Sequence, residues 1–338
     1  MRMTGLNEAA AGAMAVALGL ATAACSTPAP GGAAAGGGSA APAARLESLV
    51  ALDRRVAAVG YRLTTANVDL CASRRDVAGW TLHAARQYSD ALRPVAEARF
   101  GLDGDRPGVL AVADGSPAAR AGLAAGDLLV RVNGQDLARG DGSGPPSHDG
   151  LAANVARLDQ ALAAGPVVLD VRRGDTTRTV TLQPTQACSS FFQVDPSGEY
   201  NARADGKGVF ISSTMAAYAA DDDDLAMILG HELAHNVLQH RPPPAPLGEP
   251  DPVPETALAR GDHWTQERDA DRVGLYLMAR AGFDTARAPG FLRRFGADNW
   301  RVRYAQVGHA SAEARARALE AAHAEIIARR AAGQPLRP

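Results

Sequence analysis

Leu225-Ala226-Met227-Ile228-Leu229-Gly230-His231-Glu232-Leu233-Ala234-His235-Asn236 is the stretch on which the reading of this chain turns. Apolar side chains at Leu225, Ile228, Leu229, Leu233 and Val237 recur at three- and four-residue spacing, the period of one buried helical face. Asp221 to Asp224 stand just upstream, where a side-chain oxygen caps a helix and negative charge favours its N-terminus. On such a helix His231 and His235 lie one turn apart and point the same way. Two imidazoles so placed can share a zinc ion, and Glu232 can reach a water on that ion. A helix whose histidines are satisfied by core hydrogen bonds would show the same spacing, so the reading needs a third ligand.

The segment from Gln266 to Leu277 supplies one. Ala270, Val273, Leu277 and Met278 mark the apolar side of a second helix, with a stop near Gly282. Glu267 and Asp271 are four residues apart and share a side of it. A glutamate completes a two-His, one-Glu set that leaves a position for water. Asp271 is then placed to accept a hydrogen bond from a ligand imidazole. The competing reading pairs both acids with Arg268 and Arg272 on a solvated face. His240 does not extend the motif to a three-histidine pattern. The third histidine would fall on Arg241 and the accompanying glycine on Leu238.

His231-Glu232-Leu233-Ala234-His235, followed by Glu267-Arg268-Asp269-Ala270-Asp271, resembles family forty-eight of the metallopeptidases. Asn201 to Gly206, leading into Gly208-Val209-Phe210-Ile211, is similar to that family's Asn-Ala segment before the zinc helix. His309 with Arg315 resembles its later His-Pro…Arg motif, with Ala310 where proline is usual. The resemblance runs over about residues 185 to 325. It implies an α+β fold built on a mainly helical zincin-type domain with a small sheet. It also implies one zinc per chain on His231, His235 and Glu267, with Glu232 as general base and Asp271 and Arg315 behind the ligands. His309 would donate to the carbonyl oxygen, or cap the zinc in a resting state. A peptide substrate would add as a strand, for which Gly208 to Ser212 is the candidate edge.

Read from its start, the chain of 338 residues points to two domains. Its hydrophobic content of 46% is enough for real cores, and a near-neutral net charge of −2 gives no hint of nucleic-acid binding. Arg2 precedes an apolar run, Ala9 to Ala24, too short to span a bilayer comfortably and ending in small residues; residues 1–24 read as an export signal. Ala23-Ala24-Cys25-Ser26 resembles a lipoprotein processing site with Cys25 as the lipidated residue. Thr22 stands where leucine is usual, which leaves plain cleavage nearby open. Residues 25–44, rich in Pro, Gly, Ala and Ser, read as a flexible tether. No later stretch approaches transmembrane length. These features imply a lipid-anchored protein on the periplasmic face of the cell envelope, and Ser26 is compatible with outer-membrane sorting. In that oxidising compartment Cys71 and Cys188 are an even pair, either bridged or buried as free thiols.

Residues 45–98 read as the N-terminal part of the peptidase domain. They hold a helix over 45–63 and a second helix from Thr81 to Phe100 that Pro94 kinks. Over residues 99–184 the pattern changes to strand, capped turn, strand, amphipathic helix (Leu151, Val155, Leu158, Leu162) and a hairpin across Gly174-Asp175. With Ser116-Pro117-Ala118, Ala121-Gly122-Leu123 and Gly126-Asp127, this order resembles an inserted, β-rich bacterial PDZ domain. Such a module implies capture of a chain end, with Phe100-Gly101-Leu102 the candidate carboxylate loop, or else a spacer. Residues 185–330 are the catalytic domain. Within them Arg241 to Gly261, with seven prolines between 242 and 254, reads as a loop at the active-site rim.

Joined, the resemblances imply a zinc-dependent endopeptidase of the bacterial envelope that degrades misfolded or misassembled envelope proteins. Polypeptides and the membrane are its expected partners. A chaperone or assembly scaffold with little proteolysis, and a PDZ adaptor with a vestigial peptidase, are the other classes the sequence leaves open.

Overall fold

The computed structural model describes residues 40–240, 257–299 and 310–338. The export signal, Cys25, the tether up to residue 39, residues 241–256 of the proline-rich loop and His309 lie outside the described residues. No helix among the described residues is long and apolar enough to cross a membrane.

Helix α1 (Ala40–Ala66) begins inside the stretch whose composition suggests tether and serves two cores at once. Leu46 and Val50 pack with Tyr88, Phe100 and Leu110, while Val56, Val59 and Leu63 join the catalytic core. Beyond it the chain leaves through strand β1 (Arg74–Val77) into β2 (Trp80–His83), helix α2 (Arg93–Phe100) and β3 (Gly108–Val112). It continues through α3 (Pro117–Arg120), β4 (Leu128–Val132), β5 (Gln135–Asp136), α4 (Asp149–Ala163), β6 (Val167–Arg173) and β7 (Thr176–Leu182). The helix expected over Thr81 to Phe100 is therefore a strand, a single 3-10 turn (Ala85–Gln87) and a short α-helix. Trp80–His83 pairs antiparallel with β3, with a register shift between Thr81 and Leu82, and puts Leu82 into the sheet's core. Helix begins only at Arg93, with Pro94 in the first turn, where its missing N–H costs no hydrogen bond.

The resulting sheet runs in the order β2-β3-β4-β6-β7, with β5 off β4. Val155, Leu158 and Leu162 of α4 bury against Val109, Leu129, Val167 and Leu169 of its strands. The β4–β5 turn uses Asn133 and Gly134, at φ 49° and 78°, the left-handed pair a tight hairpin requires. The chain returns through β8 (Thr185–Cys188), which pairs antiparallel with β1 from Arg74↔Cys188 to Val77↔Thr185. The way in and the way out are thus one ribbon. Cys71 and Cys188 are disulfide-bonded at its base, 5.5 Å apart between Cα atoms, so they are not two free thiols.

The remaining chain builds the catalytic half from β9 (Phe191–Asp195), β10 (Ala202–Ala204), β11 (Gly208–Ser212), α5 (Ser213–Tyr218), α6 (Asp222–Val237), α7 (Ala257–Arg280), α8 (Arg287–Asp298) and α9 (Ala312–Ala331). Asp221 caps α6, its carboxylate accepting from Asp224 N at 3.0 Å. The sheet order is β10-β11-β9, with β11 antiparallel to β10 and parallel to β9. Gly208–Ser212 is therefore the central strand, not the edge expected for a substrate to pair with. Both of its ladders are already used.

Candidate metal centre

Helices α6 and α7 meet backbone to backbone. A Cβ on Gly274 would lie 2.8 Å from the His231 amide nitrogen and 2.9 Å from the Gly230 carbonyl carbon, so no side chain fits between them. That close approach brings Glu267 of α7 to the two histidines of α6. His231 Nε2 and His235 Nε2 are 3.3 Å apart, and each lies 3.4 Å from a carboxylate oxygen of Glu267. The carboxylate meets His231 through Oε2 and His235 through Oε1. Spacings of this size are close to those between the ligand atoms of a tetrahedral ion, about 3.3–3.4 Å for an ion about 2.0–2.1 Å from each, so the three residues can share one ion. They form the only metal-competent group of three found among the described residues, and all three are buried.

The electrostatics favour a cation at this point. Burial by itself would hold His231 neutral, yet Asp271 and Glu267, with the charge of Glu232, push its pKa up to about 10. A field that holds a proton there is one a dication would satisfy. His231 Nδ1 donates to Asp271 Oδ1 at 3.0 Å, which turns Nε2 toward the ligand cluster. Arg315 of α9 in turn holds Asp271. The two arginines of the alternative reading meet other acids, Arg272 bonding Glu325 and Arg268 lying 3.7 Å from Asp269. Glu232 is buried beside the cluster, where its charge acts on both His231 and Arg315.

Asn236, directly after the second histidine, had no role in the sequence reading. Its Nδ2 donates to the Gly208 carbonyl at 3.1 Å, and its Oδ1 accepts from Gly206 N at 2.7 Å, strapping the β10–β11 turn to α6. A cavity of 240 Å³ adjoins the site, lined by Trp264, Glu267, Ala314, Arg315 and Ala318 among others.

Phe100-Gly101-Leu102 does not form a carboxylate loop. It is the C-terminus of α2, with Gly101 left-handed at φ 65°. Phe100 and Leu102 are buried against α1, and the Phe100 ring packs edge-on to His83. The groove beside the free edge of the sheet lies elsewhere, between β2 and α4. Trp80, Thr81, Leu82, Val155 and Asp159 line it, and Tyr61 of α1 and Phe192 of β9 form its far wall. Thr81 Oγ1 and Arg75 Nε are buried there without a hydrogen-bond partner among the described residues.

A metal-competent triad on two abutting helices, joined through a disulfide-bonded ribbon to a small antiparallel sheet, is the arrangement expected of a metallopeptidase-type site beside a PDZ-type module. The comparisons agree. Residues 179–242 match the model of Peptidase family M48, and residues 108–173 match that of the PDZ domain. The peptidase match takes in His231, Glu232 and His235 and stops before Glu267, whose place is fixed by the geometry alone. The PDZ match begins at Gly108, so the edge strand β2 lies outside it. No curated protein matches the chain. Among solved structures, the chain is similar to a crystal structure of the HtrA3 PDZ domain bound to a phage-derived ligand (FGRWV). The identity is 24%, over 33% of this chain and 88% of that one, with a TM-score of 0.25.

Proposed function

We propose that this protein is a zinc-dependent endopeptidase. The observation that carries the reading is Glu267, which reaches both imidazole Nε2 atoms at 3.4 Å from a separate helix. Zinc held by His231, His235 and Glu267 would polarise the scissile carbonyl and bring the pKa of a bound water toward neutrality. Glu232, buried beside the cluster, would serve as the general base that takes a proton from the attacking water and returns it to the leaving amine. Asp271 fixes the ring of His231 through these steps, and Arg315 keeps Asp271 ionised. His309 keeps its proposed role as donor to the carbonyl oxygen. The substrate backbone pairs with β10, the strand at the sheet edge beside β11.

The chain end is captured in the groove between β2 and α4, by strand addition to β2. Arg75 faces its carboxylate there. The protein acts at the periplasmic face of the envelope, anchored through lipid on Cys25, on unfolded or misassembled polypeptides.

The deciding experiment is zinc content and casein cleavage for wild type and Glu232→Gln. One zinc per chain in both, with proteolysis falling by about 10²–10⁴-fold in the variant, is the expected result. Retained turnover in Glu232→Gln would remove the assignment. For the groove, Arg75→Glu should lose peptides with a free C-terminal carboxylate and change little for amidated ones. Cys25→Ala should abolish labelling by a fatty-acid probe.

A further inference from the structure

We propose that His240 is a positioning residue for His235, delivered to it by the cap of α6; the proposal rests on the metal-site reading above. The helix ends at Val237, and Gln239 is left-handed at φ 57°. That turn brings the His240 N–H to the His235 carbonyl at 3.0 Å and the Gln239 N–H to the Asn236 carbonyl at 3.3 Å. These are the paired bonds of a Schellman cap, a geometry that folds the residue after the left-handed one back over the last turn. Here the two side chains so brought together are both imidazoles. His240 Nδ1 lies 3.2 Å from His235 Nδ1, with the ring planes at 72° and the centroids 5.2 Å apart.

His235 presents its Nε2 to His231 and Glu267, so Nδ1 faces away from the metal position. A neutral imidazole that ligates through Nε2 carries its proton on Nδ1. The Nδ1–H of His235 therefore donates to the lone pair of His240 Nδ1, and His240 keeps its own proton on Nε2. His240 is not a fourth ligand, because it meets His235 on the side opposite the cluster.

The two ligand histidines are thus held by different chemistry. His231 donates to a carboxylate, while His235 donates to a neutral ring. A second carboxylate behind His235 would add negative charge to a pocket that already holds Glu232, Glu267 and Asp271, all buried. A neutral acceptor sets the tautomer and ring orientation without that charge. His240 is only partly buried, so its substitution leaves the core intact.

The test is zinc affinity of the full chain by chelator competition, for wild type, His240→Ala and His240→Asn. Asparagine carries a carbonyl oxygen able to accept the same hydrogen bond. His240→Ala should weaken zinc binding by about 10- to 100-fold, leave unfolding of the metal-free protein unchanged, and shift the visible spectrum of the Co²⁺-loaded protein. His240→Asn should recover most of the affinity and the spectrum. Gln239→Val, which strains the left-handed residue and swings an intact His240 away, should weaken zinc binding as His240→Ala does. Wild-type affinity in His240→Ala, or equal losses in the alanine and asparagine variants, would overturn the positioning role and leave the metal site standing. A wild type that fails to bind one zinc would overturn the metal reading and this proposal with it.

Discussion

Arg315 holds Asp271 with two hydrogen bonds, Nε to Oδ2 at 2.8 Å and a terminal nitrogen to Oδ1 at 2.6 Å, while that same Oδ1 accepts from His231 Nδ1. Burial by itself would raise the Asp271 carboxyl, but the guanidinium beside it holds it well below the usual carboxylate range. A depressed folded pKa contributes stability above the unfolded value near 3.8 and loses it as the pH falls below that. Arg315→Ala strands a buried carboxylate, so unfolding of the metal-free protein in urea should become easier by about 3–5 kcal/mol at pH 7. Adding Asp271→Asn should recover part of that loss. A single variant as stable as wild type would show that the pair is not compensating a buried charge.

Gly274→Ala tests the contact that sets the ligand spacing. Its Cβ would fall 2.8 Å from His231 N, inside any tolerated approach. The helices must part, at a cost of about 1–3 kcal/mol for overpacking. Glu267, two turns away on the same helix, must shift with α7. Weaker zinc binding should accompany the stability loss. Unchanged affinity would mean that the two helices bend independently of the ligand cluster.

The Cys71–Cys188 bond closes a loop of 117 residues in sequence separation. Constraining so long a loop in the unfolded chain is worth about 4–5 kcal/mol in the chain-entropy model. The paired substitution Cys71→Ser and Cys188→Ser should lower the urea midpoint, and reductant should lower the wild-type midpoint to match. The β1–β8 ladder remains in the reduced protein, so limited proteolysis should first cut near this ribbon rather than within either core.

Asp53, on α1, is buried near Tyr88 where the helix meets the first strand and helix of the PDZ half. Burial pushes its carboxyl up to about 7 from an unfolded value of 3.8. A carboxyl raised in the folded state favours folding fully below pH 3.8, and that contribution declines as the pH rises through about 7. Asp53→Asn should remove this slope. The variant should be more stable than wild type at pH 8, by roughly 1–3 kcal/mol, with the advantage shrinking toward pH 4. Parallel stability curves for the two proteins across that range would refute the assignment.

Local periodicity alone determined several parts of this protein. The helical repeat that put His231 and His235 on one side, the spacing of Glu267 and Asp271, the Asp221 cap, and the hairpin at Gly174 all depend on residues within a few positions of each other. Helical phase and turn chemistry are set at that range. Tertiary structure decided what depends on partners far along the chain. Trp80–His83 is too short to carry a pattern of its own and became a strand only through its ladder with Gly108–Val112. Gly208–Ser212 has the composition of any exposed or buried strand, and its central place follows from β9 and β10 on either side. Phe100 and Leu102 read as a loop until α1 covered them. His240 gained its contact with His235 from one left-handed residue, Gln239, which is not a glycine and so left no mark in the sequence. A strand's neighbours and a helix's final turn are fixed by bonds that cross the fold, and residue spacing does not encode them.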